Sequence, residues 1–256
     1  MANVPLLQAD WPAPAHVHAV VTTRAGGVST APWDSLNLGT HVDDNPADVA
    51  QNRARLQQAL CSVATCMEPQ WLNQVHGIRV LEASADTVLH ASGALPAADA
   101  VTTTVAGLPC VVMTADCLPV FFCDRAGTRV AVAHAGWRGL CDGVLEATVQ
   151  TFADPAQVMA WMGPAIGPSA FEVGEEVREA FVAKQADAAR AFVPSPNAGR
   201  WLADIYLLAR LRLSAVGVMA VSGGGRCTFT EGETFFSYRR DGRTGRMASV
   251  IWLSGA

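Results

Sequence analysis

The sequence predicts an α+β fold in one continuous domain over residues 1–256, and three observations predict it. The middle of the chain holds uninterrupted apolar runs, Cys110-Val-Val-Met113 and Val120-Phe-Phe-Cys123, of the kind that form strands buried on both faces. Segments with helical spacing and cap residues alternate with such strand-like stretches along the whole length. No internal repeat, low-complexity tract or clean linker divides the chain, and 256 residues with 50% hydrophobic and 16% charged content can bury a large core.

Taken in order, His18-Ala-Val-Val-Thr-Thr23 reads as a strand that ends at the glycine-containing loop Arg24-Ala-Gly-Gly-Val-Ser29. Asn45-Pro46 offers an N-cap and a proline at the first helical position, which start a helix running to about Leu60. Trp71 to Val75 and Ile78 to Leu81 read as strand-like pieces on either side of His76-Gly77. Between the two central runs, Ala115-Asp-Cys-Leu-Pro119 interrupts the pairing with a proline, so Asp116-Cys117 falls at a break. Arg129-Val-Ala-Val-Ala-His134 alternates, which puts Val130, Val132 and His134 on one face of a strand. Ala135-Gly-Trp-Arg-Gly139 then turns into a helix from about Leu140 to Phe152.

Further on, a strand through Ala160-Trp-Met162 runs into the loop Gly163-Pro-Ala-Ile-Gly-Pro168, followed by helices over Glu175–Phe192 and Tyr206–Val216, the second ended by Gly217. Thr234–Arg240 and Met247–Leu253 read as closing strands. Phe235, Phe236 and Tyr238 can either fill a core or stack on a flat ring.

Composition narrows the partners. A formal net charge of −5 without a basic run argues against a nucleic-acid or anionic-membrane surface, which leaves small molecules. Met1-Ala-Asn-Val-Pro-Leu-Leu-Gln-Ala-Asp10 lacks the basic start and long apolar stretch of a secretory signal, and no run of about 18 apolar residues appears, so a cytoplasmic location is expected. The 7 cysteines form an odd, scattered set that fits reduced thiols, and Cys61 and Cys66 have no second pair nearby to complete a structural zinc site.

Three residues carry the chemistry: His76 in Asn73-Gln-Val-His-Gly77, Cys117 in Thr114-Ala-Asp-Cys-Leu-Pro119, and His134 in Ala133-His-Ala-Gly-Trp-Arg-Gly139. Two imidazoles and a thiolate suit zinc, and three protein ligands leave the open position a catalytic zinc needs. Their spacing contains no short ligand pair. Each, however, ends an apolar run beside glycine or proline, where strands deliver side chains to pockets. Singly, Cys117 also reads as a small core residue, and the two histidines as hydrogen-bonded core groups. Copper is a possible substitute, since thiolate and imidazole suit both metals.

The strand-to-helix turn at His134 would present backbone N–H groups to an anion, with Arg138 adding a bidentate charge. Alternatively, Gly136 and Gly139 only permit a tight turn and Arg138 pairs with a surface carboxylate. Arg24, beside two glycines, raises the same question. Asp116 is a candidate acid or base, or else a group that fixes a ligating histidine ring. His41 receives no role.

Together with Gly163-Pro-Ala-Ile-Gly-Pro168, Phe171-Glu-Val-Gly174, Phe235-Phe-Ser-Tyr-Arg-Arg-Asp241 and Thr244-Gly-Arg-Met-Ala248, these motifs resemble the YfiH family from about Thr22 to Trp252. That family was once labelled polyphenol oxidase or laccase-like and is now described as zinc-dependent purine nucleoside phosphorylases. The resemblance implies a mixed α/β sandwich with central sheets and outer helices, and His76, Cys117 and His134 as zinc ligands. It also implies phosphorolysis of adenosine, inosine and 5′-methylthioadenosine with phosphate as co-substrate, and deamination of adenosine. Some members carry two cysteines where this chain has Ser169 and Ala170.

Three other readings compete. Bacterial relatives are also described as peptidoglycan editing factors, and zinc-assisted amide hydrolysis would use the same water-activating geometry. Multicopper oxidation needs many histidines in recurring His-x-His pairs, whereas the chain has 6 histidines and one such pair, His16-Val-His18. A non-catalytic zinc module would normally be closed by a fourth protein ligand, for which the sequence offers no candidate in good context.

Overall fold

The computed structural model describes residues 4–89 and 94–255; the first three residues of the Met1–Asp10 segment lie outside that range. Two stacked sheets form its centre. With strands numbered in chain order, one sheet is mixed and runs β12 (Ala220–Gly223), β8 (Val158–Met162), β6 (Leu118–Asp124), β7 (Val130–Ala135), β4 (Ala100–Thr103), β3 (Val80–Glu82). The other is antiparallel and runs β1 (Leu6–Gln8), β2 (Val17–Thr22), β13 (Met247–Leu253), β5 (Cys110–Thr114). A small antiparallel sheet of β10 (Phe192–Pro194), β11 (Arg200–Ala203) and β9 (Glu172–Gly174) lies apart.

The apolar runs are continuous because both faces of each large sheet are covered. Phe121, Cys123, Val130 and Val132 of the mixed sheet pack against Val21, Cys110, Val112 and Ile251 of the antiparallel one. Their alternating neighbours Val120, Phe122, Ala131 and Ala133 face the other way, onto helices α3 (Trp137–Asp142), α4 (Val144–Val149), α5 (Glu175–Lys184) and α6 (Ile205–Ala215). On the far side of the antiparallel sheet, Val20, Val111, Val250 and Trp252 pack on Leu56 and Leu60 of α1 (Pro46–Val63). The layers are therefore helix, sheet, sheet, helix, as the resemblance implied. Short helices α2 (Ala85–Leu89) and α7 (Tyr238–Asp241) complete the set, and no described helix is long and apolar enough to cross a membrane.

Cap chemistry acts as the sequence indicates. Asn45 accepts a hydrogen bond from Ala47 N at 3.0 Å and Pro46 opens α1. Asp204 caps α6 through Leu207 N at 2.9 Å.

Four expected elements differ. Trp71–Val75 makes only one isolated bridge, at Asn73, because the Gln74 side-chain amide takes the place of a strand neighbour. Its Nε2 donates to Met113 O at 2.8 Å and its Oε1 accepts from Met113 N at 2.7 Å. The expected Leu140–Phe152 helix begins at Trp137 and breaks at Gly143, whose φ of 111° is left-handed. Glu175–Phe192 divides into α5 and a 3-10 turn over Ala186–Ala191. Thr234–Arg240 is not a strand: Thr234 N and Phe235 N both donate to Glu231 O at 3.0 Å in a turn, and Ser237 then caps α7.

Candidate metal centre

The chain crosses from one large sheet to the other between Thr114, the end of β5, and Leu118, the start of β6. Cys117 sits on that crossing. Asp116 adopts φ 95°, a conformation costly for a residue with a Cβ, and its contacts explain why it is tolerated. Its carboxylate accepts from Thr228 Oγ1 at 2.6 Å and from Arg239 N at 2.7 Å, while its carbonyl accepts from Ile166 N at 2.9 Å. Three distant segments are thus pinned to the crossing.

His134 lies on β7 opposite Pro119, close to the crossing, and His76 projects from the Asn73–Gly77 loop at φ 61°. One buried carboxylate holds both histidines. Asp99, 0% exposed, accepts from the backbone N–H groups of His76 at 2.8 Å, Gly77 at 2.7 Å and Val75 at 3.2 Å. Its Oδ1 is also 2.9 Å from His134 Nδ1, which leaves His134 Nε2 as the free ring nitrogen.

The result is a convergence of donors: one ligand atom each from His76, Cys117 and His134, all within 4.8 Å of one another. The imidazole rings meet edge to face at a centroid distance of 4.8 Å. Helix α3 must come very close for this to happen. A Cβ on Gly136 would lie 2.8 Å from His76 Cδ2 and 3.2 Å from Cys117 Sγ, and one on Gly139 would lie 2.8 Å from Gly77 O. Close approach, rather than a tight turn, is what these two glycines provide.

Electrostatics prepare the donors. Burial alone would push the Cys117 thiol up, but the charge and hydrogen bonds of His134 and His76 bring it down to about 6. Burial opposes the His134 imidazolium, yet the Cys117 thiolate and the Asp99 hydrogen bond raise it to about 9. Asp99 is held below the usual carboxylate range: burial opposes its charge, and the His134 and Gly77 hydrogen bonds outweigh that. Without metal, then, thiolate and imidazolium form a buried pair. A divalent cation would replace the imidazolium proton, and the donor set of two imidazoles and one thiolate fits it.

A cavity of about 400 Å³ opens on the three donors and is lined also by His41, Gln74, Thr114, Tyr238 and Arg246. A second, of about 280 Å³, shares His76 and Cys117 and is largely apolar, with Trp137, Ile166, Phe171 and Ile205 in its wall. Arg138 borders the second cavity, exposed and with its guanidinium 4.4 Å over the Trp137 ring. Tyr238, 61% exposed, borders both.

Two of the candidate side chains are engaged within the fold. Arg24 lines neither cavity: its guanidinium donates to Asp34 O at 3.0 Å and Gly232 O at 2.9 Å and lies 5.0 Å over Phe236, so its donors are spent on the fold. Asp116 does not fix a histidine ring; Asp99 does, and both Asp116 oxygens already hold donors. The only signal for Asp99 in the sequence is an acid embedded in the apolar stretch Leu95-Pro-Ala-Ala-Asp-Ala-Val101. His41, given no role from sequence, lines the metal cavity.

A family model described as multi-copper polyphenol oxidoreductase laccase matches residues 18–254. Purine nucleoside phosphorylase YfiH of Escherichia coli is 57% identical over 97% of this chain and 98% of its own length. A purine nucleoside phosphorylase of Pseudomonas aeruginosa is 60% identical over 96% of this chain and 98% of its own. The crystal structure of a Neisseria meningitidis protein superposes with a TM-score of 0.90 at 52% identity, covering 98% of this chain and 99% of that one. YlmD from Geobacillus stearothermophilus superposes at 0.82 and 32% identity, over 100% of this chain and 98% of the other. The donors do not fit the multi-copper description. The single His-x-His pair is used in packing, with His16 Nε2 3.0 Å from Gly127 O and His18 stacked on Trp252 at 5.1 Å.

Proposed function

Because the chain belongs to the YfiH family, we propose that it is a zinc-dependent purine nucleoside phosphorylase that also deaminates adenosine. The observation that carries this reading is the His76–Cys117–His134 convergence where two cavities meet. Zinc suits two imidazoles and a thiolate, and three protein ligands leave it an open position. When bound, the ion would act as a Lewis acid toward a substrate oxygen or toward water.

The chain's own residues account for the rest. Phe171, Ile166 and Trp137 offer an apolar slot for a flat purine, and the exposed Arg138 sits where it can reach the nucleoside. Asp99 keeps the His134 ring in one orientation while substrate exchanges. In phosphorolysis a phosphate oxygen bonds to C1′ as the C1′–N9 bond breaks; the electron pair leaves on the purine, which takes up a proton. The ribosyl group has oxocarbenium character in between, so a site that holds an anion beside it lowers the barrier.

The test is incubation of zinc-loaded protein with adenosine, with and without phosphate. Adenine and ribose 1-phosphate that appear only with phosphate support phosphorolysis, and inosine in either mixture supports deamination. Neither product at any enzyme level overturns the reading and favours hydrolysis of a muropeptide amide.

A further inference from the structure

We infer that Arg246, with the hydroxyls of Thr114 and Thr244, forms the subsite that binds inorganic phosphate; this rests on the phosphorylase reading. Arg246 is half-buried and borders both the metal cavity and an adjoining one of about 340 Å³. Its position is fixed: Nη1 donates to Thr244 O and Gly245 O, both at 3.0 Å, and its backbone N–H donates to Asn37 Oδ1 at 2.9 Å. Nε and Nη2 have no hydrogen-bond partner among the described residues. These two N–H groups form the side-on edge of the guanidinium, the edge that grips two oxygens of an oxyanion at once.

Two further donors stand beside it. Thr114 lines the metal cavity and Thr244 the adjoining one; each is about 2% exposed or less, and each hydroxyl is buried without a partner. Buried hydroxyls are almost always paired, so an orphan in each of the two cavities that Arg246 borders points to a ligand that supplies acceptors. A carboxylate has only two oxygens, which the guanidinium edge would use. Phosphate retains further oxygens for the hydroxyls.

The surroundings favour an anion. Among the described residues no Asp or Glu lines the metal cavity, and in the adjoining one Asp43 is set against the cations Arg243 and Arg246. His41, on the same wall, is held below the usual imidazole range by burial and by the charges of Arg246 and Arg53. Neither Arg24 nor Arg138 competes for this role, since Arg24 is spent on carbonyls and Arg138 faces the apolar side.

The test is calorimetric titration of zinc-loaded protein with inorganic phosphate, alongside adenosine and adenosine 5′-monophosphate. Wild type is expected to bind phosphate with and without adenosine present. Arg246→Ala is expected to weaken phosphate at least tenfold, with adenosine affinity within twofold and zinc content unchanged. Thr114→Val, which keeps the shape and removes the hydroxyl, is expected to weaken phosphate about threefold and serves as the deciding variant if Arg246→Ala fails to fold. Phosphate affinity within twofold of wild type in folded Arg246→Ala or in Thr114→Val overturns the assignment, as does a wild type that binds the nucleotide but not free phosphate. A wild type that binds phosphate through Arg246 yet makes no ribose 1-phosphate keeps the subsite and sinks the phosphorylase reading. Phosphorolysis with a phosphate KM indifferent to Arg246 does the reverse.

Discussion

Asp99 Oδ1 lies 2.9 Å from His134 Nδ1 while the same oxygen accepts the His76 backbone N–H at 2.8 Å, so one carboxylate sets the positions of two candidate donors that are distant in sequence. Asp99→Asn keeps the shape and removes the charge. The amide can no longer accept from every donor the carboxylate holds, and the ring loses its anionic partner. Zinc affinity is expected to fall by ~10–100-fold, the range typical for groups that orient a metal ligand. Competition with a chromogenic chelator measures it, and an affinity within twofold of wild type would remove Asp99 from the centre.

The Cys117 thiol, brought down to about 6, governs how the centre responds to acid. Its lowered value means that the native state holds a thiolate above that pH and gains a proton as pH falls through about 6. In chelator-treated protein, alkylation of Cys117 by iodoacetamide is therefore expected to rise with a midpoint near 6 rather than in the ordinary thiol range. Zinc affinity should weaken more steeply with falling pH below about 6, where the metal-free thiolate also takes up a proton that the ion must displace. Mass spectrometry of the Cys117 peptide reads the first, and a midpoint above 8 would contradict the thiolate pair.

Cys117→Ser replaces a thiolate with a weak ligand at a loop position rather than in the close-packed strands. Zinc should be lost and turnover abolished, with the circular dichroism spectrum preserved. Global unfolding of this variant in chelator, where wild type stays folded, would show that the residue serves packing instead.

Gly136→Ala places a methyl group 2.8 Å from His76 Cδ2 and 3.2 Å from Cys117 Sγ. Either ring or thiol has to move by several tenths of an ångström, and ligand geometry tolerates little of that. The expected outcome is zinc affinity reduced at least tenfold at nearly unchanged melting temperature of the metal-free protein. Equal zinc affinity would show that the His76 loop yields freely.

Arg138 borders the apolar cavity and stacks on Trp137. Arg138→Ala is expected to raise the nucleoside KM about tenfold, the loss of roughly 1.4 kcal/mol, while the phosphate KM stays within twofold. Steady-state kinetics with each substrate varied in turn decides between this and the phosphate contact that the sequence had offered for it.

Local pattern was enough for much of the architecture. Continuous apolar runs such as Val120-Phe-Phe-Cys123 announced strands covered on both faces, Asn45-Pro46 announced the start of α1, and the break at Asp116-Cys117 is where the chain changes sheets. The three donors were also visible, because strand ends beside glycine or proline are places where side chains reach a pocket, and the family motifs surround them. Period and cap signals act over one or two turns of chain, and these features are written at that range.

What the sequence by itself could not determine was which partner each polar side chain finds. An arginine beside glycine reads alike whether its guanidinium is spent on carbonyls, as in Arg24, or keeps one edge free, as in Arg246. An aspartate beside a ligand reads as its orienting group, yet that contact belongs to Asp99, brought in by the pairing of β4 with β7, while Asp116 ties the crossing to Thr228 and Arg239. Strand register and the stacking of two sheets decide such contacts. They depend on the summed packing of residues far apart in the chain, and no local period encodes them.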